Sequence, residues 1–358
     1  MAQSQFIFTT NNGAITITGY TGPGGAVEIP DTIDGLPVTG IGDYAFAACI
    51  GVTSVTIPDS VTGIGDWAFA VLTSLTAVTI GSGVNRIGDG AFGYCFGLTS
   101  VTIPDRVTSV GDSAFESCTS LATVTIPDRV RSIGDYAFWD CLSLTDFTIP
   151  KHVTNIGMGT FEYCVSLTNV VIPESVRSIG EFAFGDCHSL TSVVIPNQVA
   201  SIGRFAFNYC TSLSSITIPK GVTSLADLTF YYCVDLTAVY FRGNAPSLGW
   251  SVFYGDNNAT AYFKPGRKGW GTTFGGLPTA LLRPRLQLND AGLGEKGKQF
   301  GFTITGTRGS VVVVEACTNL ASPDWSPVST NTLTGATFDF SDPDSANYPA
   351  RFYRLRSP

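Results

Sequence analysis

The chain has 358 residues, 13% of them charged, and a formal net charge of −8. That sign and sparsity exclude a nucleic-acid footprint, which needs clustered Lys and Arg. No apolar run reaches the 18 residues of a membrane-spanning helix, so no membrane span is predicted.

From the N-terminus, residues 6–10 and 14–18 alternate apolar and polar side chains around Asn11-Asn12-Gly13, which is a hairpin signal. Gly22-Pro23-Gly24-Gly25 breaks the alternation, and residues 1–37 read as an N-terminal β-hairpin cap. No signal peptide is visible; Met1-Ala2-Gln3-Ser4 reads as a start placed ahead of a mature N-terminus.

Residues 38–263 then repeat one 23-residue sentence. Phe recurs at 46, 69, 92, 115, 138, 161, 184, 207, 230 and 253 without a slip. A fixed period of this length marks a solenoid. In one copy, Leu98, Val101 and Ile103 belong to an extended segment, apolar side chains inward and Thr outward, which Pro104 ends. Val107 and Val110 make a second short apolar pair, and Gly111 turns the chain. Asp112 precedes Ala114, Phe115 and Cys118, whose spacing predicts a short helical turn with one buried face. The column Asp43, Asp66, Asp89, Asp112, Asp135 and Asp227 therefore reads as helix N-caps. An acidic site is the poorer account, because Met158, Glu181 and Arg204 fill the same phase.

Eight of the nine Cys (Cys49, Cys95, Cys118, Cys141, Cys164, Cys187, Cys210, Cys233) share one phase, and Leu72 takes the missing copy. An apolar residue in that slot predicts a column of small buried thiols, although a uniform column leaves pairing open. No CxxC or His-x-x-x-His spacing occurs, so neither metal nor cofactor is predicted.

The pattern decays after Leu236, and residues 258–263 read as a closing strand. Residues 264–284, with Trp270, read as a C-terminal cap, and 285–297 as a linker. Short strand-like runs separated by turn signals over 298–358 predict a small β-sandwich, with Trp325 in its core and Tyr348 at its edge.

Two outward surfaces carry the binding expectations. On the sheet face, Thr56, Thr79, Thr102, Thr125, Thr148 and Thr217 form a nearly uncharged column. Thr suits any exposed strand; the functional reading is a shallow polar face for a protein or glycan. A regular Thr array also raises ice binding, against which Val171, Val194 and Asp146 count. At the turn, Tyr94, Tyr136, Trp139, Tyr163, Tyr209, Tyr231 and Tyr232 lie beside the buried Phe column. They read either as a half-buried seal between repeats or as an aromatic stripe that stacks on sugars or anchors a protein. The only histidines, His152 and His188, fall at different phases, and no nucleophile elbow or phosphate loop occurs, so no enzyme is predicted.

The phrase I-P-x-x-V-x-x-I-G-x-x-A-F-x-x-C-x-x-L-x-x-V-x-I-P, carried over residues 27–263, resembles the bacterial BspA-like leucine-rich repeat family. Departures are Leu72 for Cys, Gly81 for Pro, and Thr160 and Thr229 for Ala. The resemblance implies a right-handed solenoid with a parallel β-sheet on one face. It also implies secreted or surface-attached proteins that bind other proteins or host and environmental surfaces, without enzymatic activity. The C-terminal piece resembles small β-modules that follow such repeats in secreted bacterial proteins. The expectation is a leucine-rich repeat solenoid plus a small all-β C-terminal domain, acting as an extracellular or cell-surface binding or adhesion protein for a protein partner. Carbohydrate binding through the aromatic stripe, a structural spacer and ice binding are the alternatives.

Overall fold

The computed structural model describes residues 5–282, 285–286, 294–296, 299–305, 311–334 and 337–356. It divides into two compact units, Met1–Phe263 with Arg267–Ala280, and Lys264–Gly266 with Leu281–Pro358.

The first unit is a stack of coils. Each coil contributes two short strands, as in Ser100–Thr102 and Ser109–Val110. Where strands of successive coils pair, each lies parallel to its copy one period on: Val101 lies opposite Val124, and Ser109 opposite Ser132. Alternation along the strand buries Val101 and exposes Thr102. Register is pinned because a one-residue slip would turn the whole apolar set toward water. The Thr-bearing strands do not form one unbroken ladder. They pair from Gly25–Glu28 to Ala77–Thr79, then two by two, and again continuously from Ser192–Val193 to Thr260–Phe263.

The Phe column fills the interior. Its ten rings stack at centroid separations of 4.9–5.8 Å with planes within 22° of one another. The widest step, Phe138 to Phe161, is where Phe147 wedges in from the strand, 4.9 and 4.7 Å from the two rings. Beside the rings runs the thiol column. From Cys95 to Cys233 each Sγ donates to the carbonyl of a Phe in the preceding coil at 3.1–3.3 Å. All nine thiols are free. Burial pushes the Cys95 thiol up to about 12, and the deeper copies are raised as well.

The expected helical turns are not helices. Between Asp112 and Cys118 alternate amides leave the coil: Ser113, Phe115 and Ser117 donate to the carbonyls of Asp135, Ala137 and Trp139 in the next coil. The amides between them close tight turns, Glu116 to Ser113 and Cys118 to Phe115. Ser113 and Ser117 sit at φ of 52° and 53°, and left-handed residues recur at these two phases in every coil. Left-handed backbone at two positions in each turn prevents the 13-atom hydrogen-bond rings of an α-helix. The Asp column is corrected with it. Asp66, Asp89, Asp112, Asp135 and Met158 each donate a backbone N–H to the carboxylate of the Asp one coil earlier at 2.7–2.9 Å. The carboxylates tie coil to coil and cap no helix. This explains the Gly that precedes Asp66, Asp89, Asp112 and Asp135: a Cβ on Gly111 would lie 2.4 Å from Asp89 Oδ1 and 2.6 Å from the Gly88 carbonyl carbon.

Both ends of the stack are covered. Strands Phe6–Asn11 and Ala14–Tyr20 form an antiparallel hairpin turning at Asn12-Gly13, both at positive φ, and Tyr20 stacks on Phe46 at 5.1 Å. At the other end the hairpin of Thr273–Phe274 and Leu277–Leu281 extends the sheet beyond Thr260–Phe263, and Trp270 stacks on Phe263 at 4.7 Å.

The second unit contains two antiparallel sheets. In one, Gln299–Thr305 pairs with Thr337–Asp342, Arg285–Leu286 and Gly294–Lys296; in the other, Val311–Cys317 pairs with Ser326–Thr332 and Phe352–Arg356. Of the expected linker, residues 287–293 and 297 lie outside the described residues. The core is Phe302, Ile304, Val312, Val314, Leu333 and Phe340. Trp325 is not part of it: the ring is half-buried under the Arg354 guanidinium at 4.5 Å, and exposed Tyr348 packs likewise under Arg351.

Candidate binding surface

On the sheet face Thr56, Thr79, Thr102, Thr125 and Thr148 are exposed and Thr217 is half-buried. The column does not stay uniform. Thr148 lies opposite exposed Val171, Val194 is 79% exposed, and Thr217 is followed by the stacked pair Tyr240 and Tyr262. Thr79 and Thr102 line an open groove of about 580 Å³ with Ser82, Asp105 and Arg106, at a break in strand pairing. Gly81 stands there in place of Pro, and a Cβ on it would lie 2.3 Å from the Pro58 carbonyl oxygen.

At the turn, each aromatic named above except Trp139 and Tyr231 occupies one of the left-handed positions. Several rings lie down across the next coil. A Cβ on Gly159 would fall 2.4 Å from the Tyr136 ring, and one on Gly255 would fall 3.1 Å from the Tyr232 ring. Tyr136 is half-buried by this arrangement, so in part the rings seal one coil against the next.

They do not form one stripe. Tyr94 is half-buried and donates its hydroxyl to Glu116 at 2.7 Å; that hydrogen bond, with burial, raises the phenol to about 12. Trp139 meets Tyr163 edge-on at 5.8 Å and donates Nε1 to Glu162 at 3.2 Å. Desolvation pushes Glu162 up to about 7 and raises Asp140 and Asp186 beside it. The largest group stands at the C-terminal end of the stack. Tyr209, Tyr231, Tyr232 and Tyr254 touch in five ring contacts at 4.6–5.7 Å. Tyr209 is 37% exposed and Tyr254 58%. Tyr254 was missed in the sequence, although it stands one period after Tyr231.

This tyrosine group borders a cleft of about 650 Å³ whose lining includes Tyr232, Val234, Phe253, Tyr254, Leu277 and Asp256. Asp256 is a second residue the sequence reading passed over. It is 1% exposed, and neither carboxylate oxygen has a hydrogen-bond partner. Burial raises its carboxyl to about 8, opposed only by the nearby Cys233 amide, whose N–H is given to the Phe230 carbonyl. Chemically, this end of the stack offers packed phenol rings, one sequestered carboxyl and walls that mix apolar Val234, Leu277 and Pro278 with polar Ser251 and Asn257. Among the described residues no group of three His, Cys, Asp or Glu is placed to hold a metal ion.

Comparison with known proteins places the coil stack. No curated protein matches significantly. Among solved structures, a T. pallidum leucine-rich repeat protein is 31% identical with a TM-score of 0.50, over 59% of this chain and 88% of that one. A leucine-rich repeat protein from Bacteroides ovatus is 22% identical with a TM-score of 0.39, over 78% and 98%. A leucine-rich cell surface protein from Faecalibacterium prausnitzii is 28% identical with a TM-score of 0.32, over 67% and 94%. The model of the BspA type leucine-rich repeat region, in six copies, matches residues 39–167 and 154–266. The match covers more than half of the chain, so the protein belongs to the BspA-type leucine-rich repeat family.

Proposed function

We propose that this is a secreted or cell-surface binding protein, and that a protein partner docks on the turn face at the C-terminal end of the solenoid. The four-tyrosine group carries the reading. Tyrosine gives a large contact area at low conformational cost and dominates binding hot spots. Near-parallel pairs, Tyr209 with Tyr232 and Tyr231 with Tyr254, spend ring faces on one another. That favours a protein surface packing against the group over a row of sugars stacking face to face. A second reading, one glycan unit on the outermost ring, is favoured by the exposure of Tyr254.

The test is retention of the labelled protein on cells and on a panel of immobilised matrix proteins and glycans. Tyr209→Ala and Tyr254→Ala are expected to reduce protein-dependent retention at least tenfold, while Thr102→Lys and Thr125→Lys leave it unchanged. Loss with the Thr variants alone would move the site to the sheet face. Glycan binding that disappears only with Tyr254→Ala would select the second reading.

A further inference from the structure

We propose that the cleft beside the tyrosine group is a receptor for an alkylammonium ion, the side chain of a lysine on the protein partner, with Asp256 as its counter-ion. The identity of the lysine's owner rests on the reading above; the pocket itself does not.

Asp256 stands one period after Cys233, at the phase of the thiol column. In the seven coils before it the residue there is a thiol that gives its proton to a Phe carbonyl. The last coil replaces this small, satisfied group with a carboxyl that is 1% exposed and has no partner. A buried carboxyl without a partner is destabilising. A thiol would fill the slot without that penalty, so the acid is explained by something the coil stack does not itself contain.

The walls choose the ligand. A calcium or magnesium ion asks for several oxygen donors, carboxylates foremost, and Asp256 is the single carboxylate in the cleft lining. An ammonium on a methylene stem asks for one carboxylate, an aromatic wall and apolar sides for the stem. Asp256, both of whose oxygens are closed off from solvent until a ligand enters, supplies the first, Tyr232 and Tyr254 the second, and Val234, Leu277 and Pro278 the third. The rim has room at Gly276, where a Cβ would meet nothing within 4 Å. The ionisable groups around Asp256 are Tyr232, Tyr254 and the Cys233 thiol, none of them cationic. On binding, the carboxyl gives its proton to solvent, the lysine arrives protonated, and a carboxylate–ammonium pair remains.

The experiment titrates the full-length protein with Nα-acetyl-lysine methylamide, followed by tyrosine fluorescence and NMR, with the uncharged norleucine analogue as control. Saturable binding of the lysine compound is expected, at least tenfold weaker for the norleucine analogue and for Asp256→Asn and Asp256→Cys. The Cys variant guards against misfolding, because eight earlier coils already carry Cys at this phase. No saturation, equal binding of the norleucine analogue, or undiminished binding by both variants would overturn the site. If the lysine compound fails while Tyr209→Ala and Tyr254→Ala still abolish retention on a partner, the lysine site falls and the docking face stands. The opposite pattern supports the pocket and removes the docking face.

Discussion

The thiol column and the aromatic turn face lie within a few residues of each other in every coil, yet they follow different rules. Inside, the slot beside the stacked rings is dry and apolar, and Cys or Leu72 fills it in every coil before the last. Outside, the residue changes from coil to coil, and the adjustment appears one period later. Trp67 lies over Gly90, Tyr136 over Gly159 and Tyr232 over Gly255. The interior is fixed by a shared packing constraint, whereas the exterior is settled pairwise between neighbouring coils. A surface of the second kind is free to vary with its ligand while the scaffold stays the same.

The largest effect that sharpens this contrast is inside. Phe138→Ala removes a ring stacked on both neighbours and is expected to cost about 3–5 kcal/mol in chemical denaturation, whereas Tyr136→Ala, one coil face outward, should cost no more than about 1 kcal/mol. Equal losses would erase the distinction.

Next is the slot where the inner rule fails. The Asp256 carboxyl is raised by burial to about 8, so the native state binds its proton more tightly than the unfolded chain does. Stability should therefore fall as pH rises from the ordinary carboxylate range to about 8, by about 1.4 kcal/mol per pH unit at most. Asp256→Cys should flatten this dependence and stabilise the protein at pH 8 by on the order of a few kcal/mol. Thermal melts of both proteins at pH 5 and pH 8 decide it, and parallel shifts would refute the assignment.

Smaller still is the pairwise outer rule. Gly159→Ala meets the Tyr136 ring and places a Cβ on a residue at φ 56°. Its cost should shrink by about 1 kcal/mol in a Tyr136→Ala background, the coupling expected of side chains in contact. Additive losses in that double-mutant cycle would mean the glycine serves the backbone alone. Thr102→Lys on the exposed sheet face should move stability by less than about 0.5 kcal/mol.

The repeat, the buried Phe and Cys columns and the outward Thr were legible because a strict period reports a shared environment. The turn was not. Ala114, Phe115 and Cys118 have the spacing of a helix face, but that spacing also fits a left-handed turn that bonds to the next coil. Nothing in Ser113 or Ser117 announces positive φ. The Asp column was misread for a related reason: its partner lies 23 residues away, and only the Gly before Asp66, Asp89, Asp112 and Asp135, forced by close approach, hinted at it. At the candidate site, Tyr254 and Asp256 continue columns already counted, and following each phase one coil past its last familiar residue would have found both.

The thiol column also makes the solenoid a self-recording instrument. From Cys95 to Cys233 every coil carries one sequestered nucleophile whose ionisation burial suppresses. An alkylating reagent reaches such a sulfur only when that coil breathes. Site-resolved labelling rates would thus chart, coil by coil and without any engineered probe, where the stack frays first and whether an occupied C-terminal end holds the last coils shut.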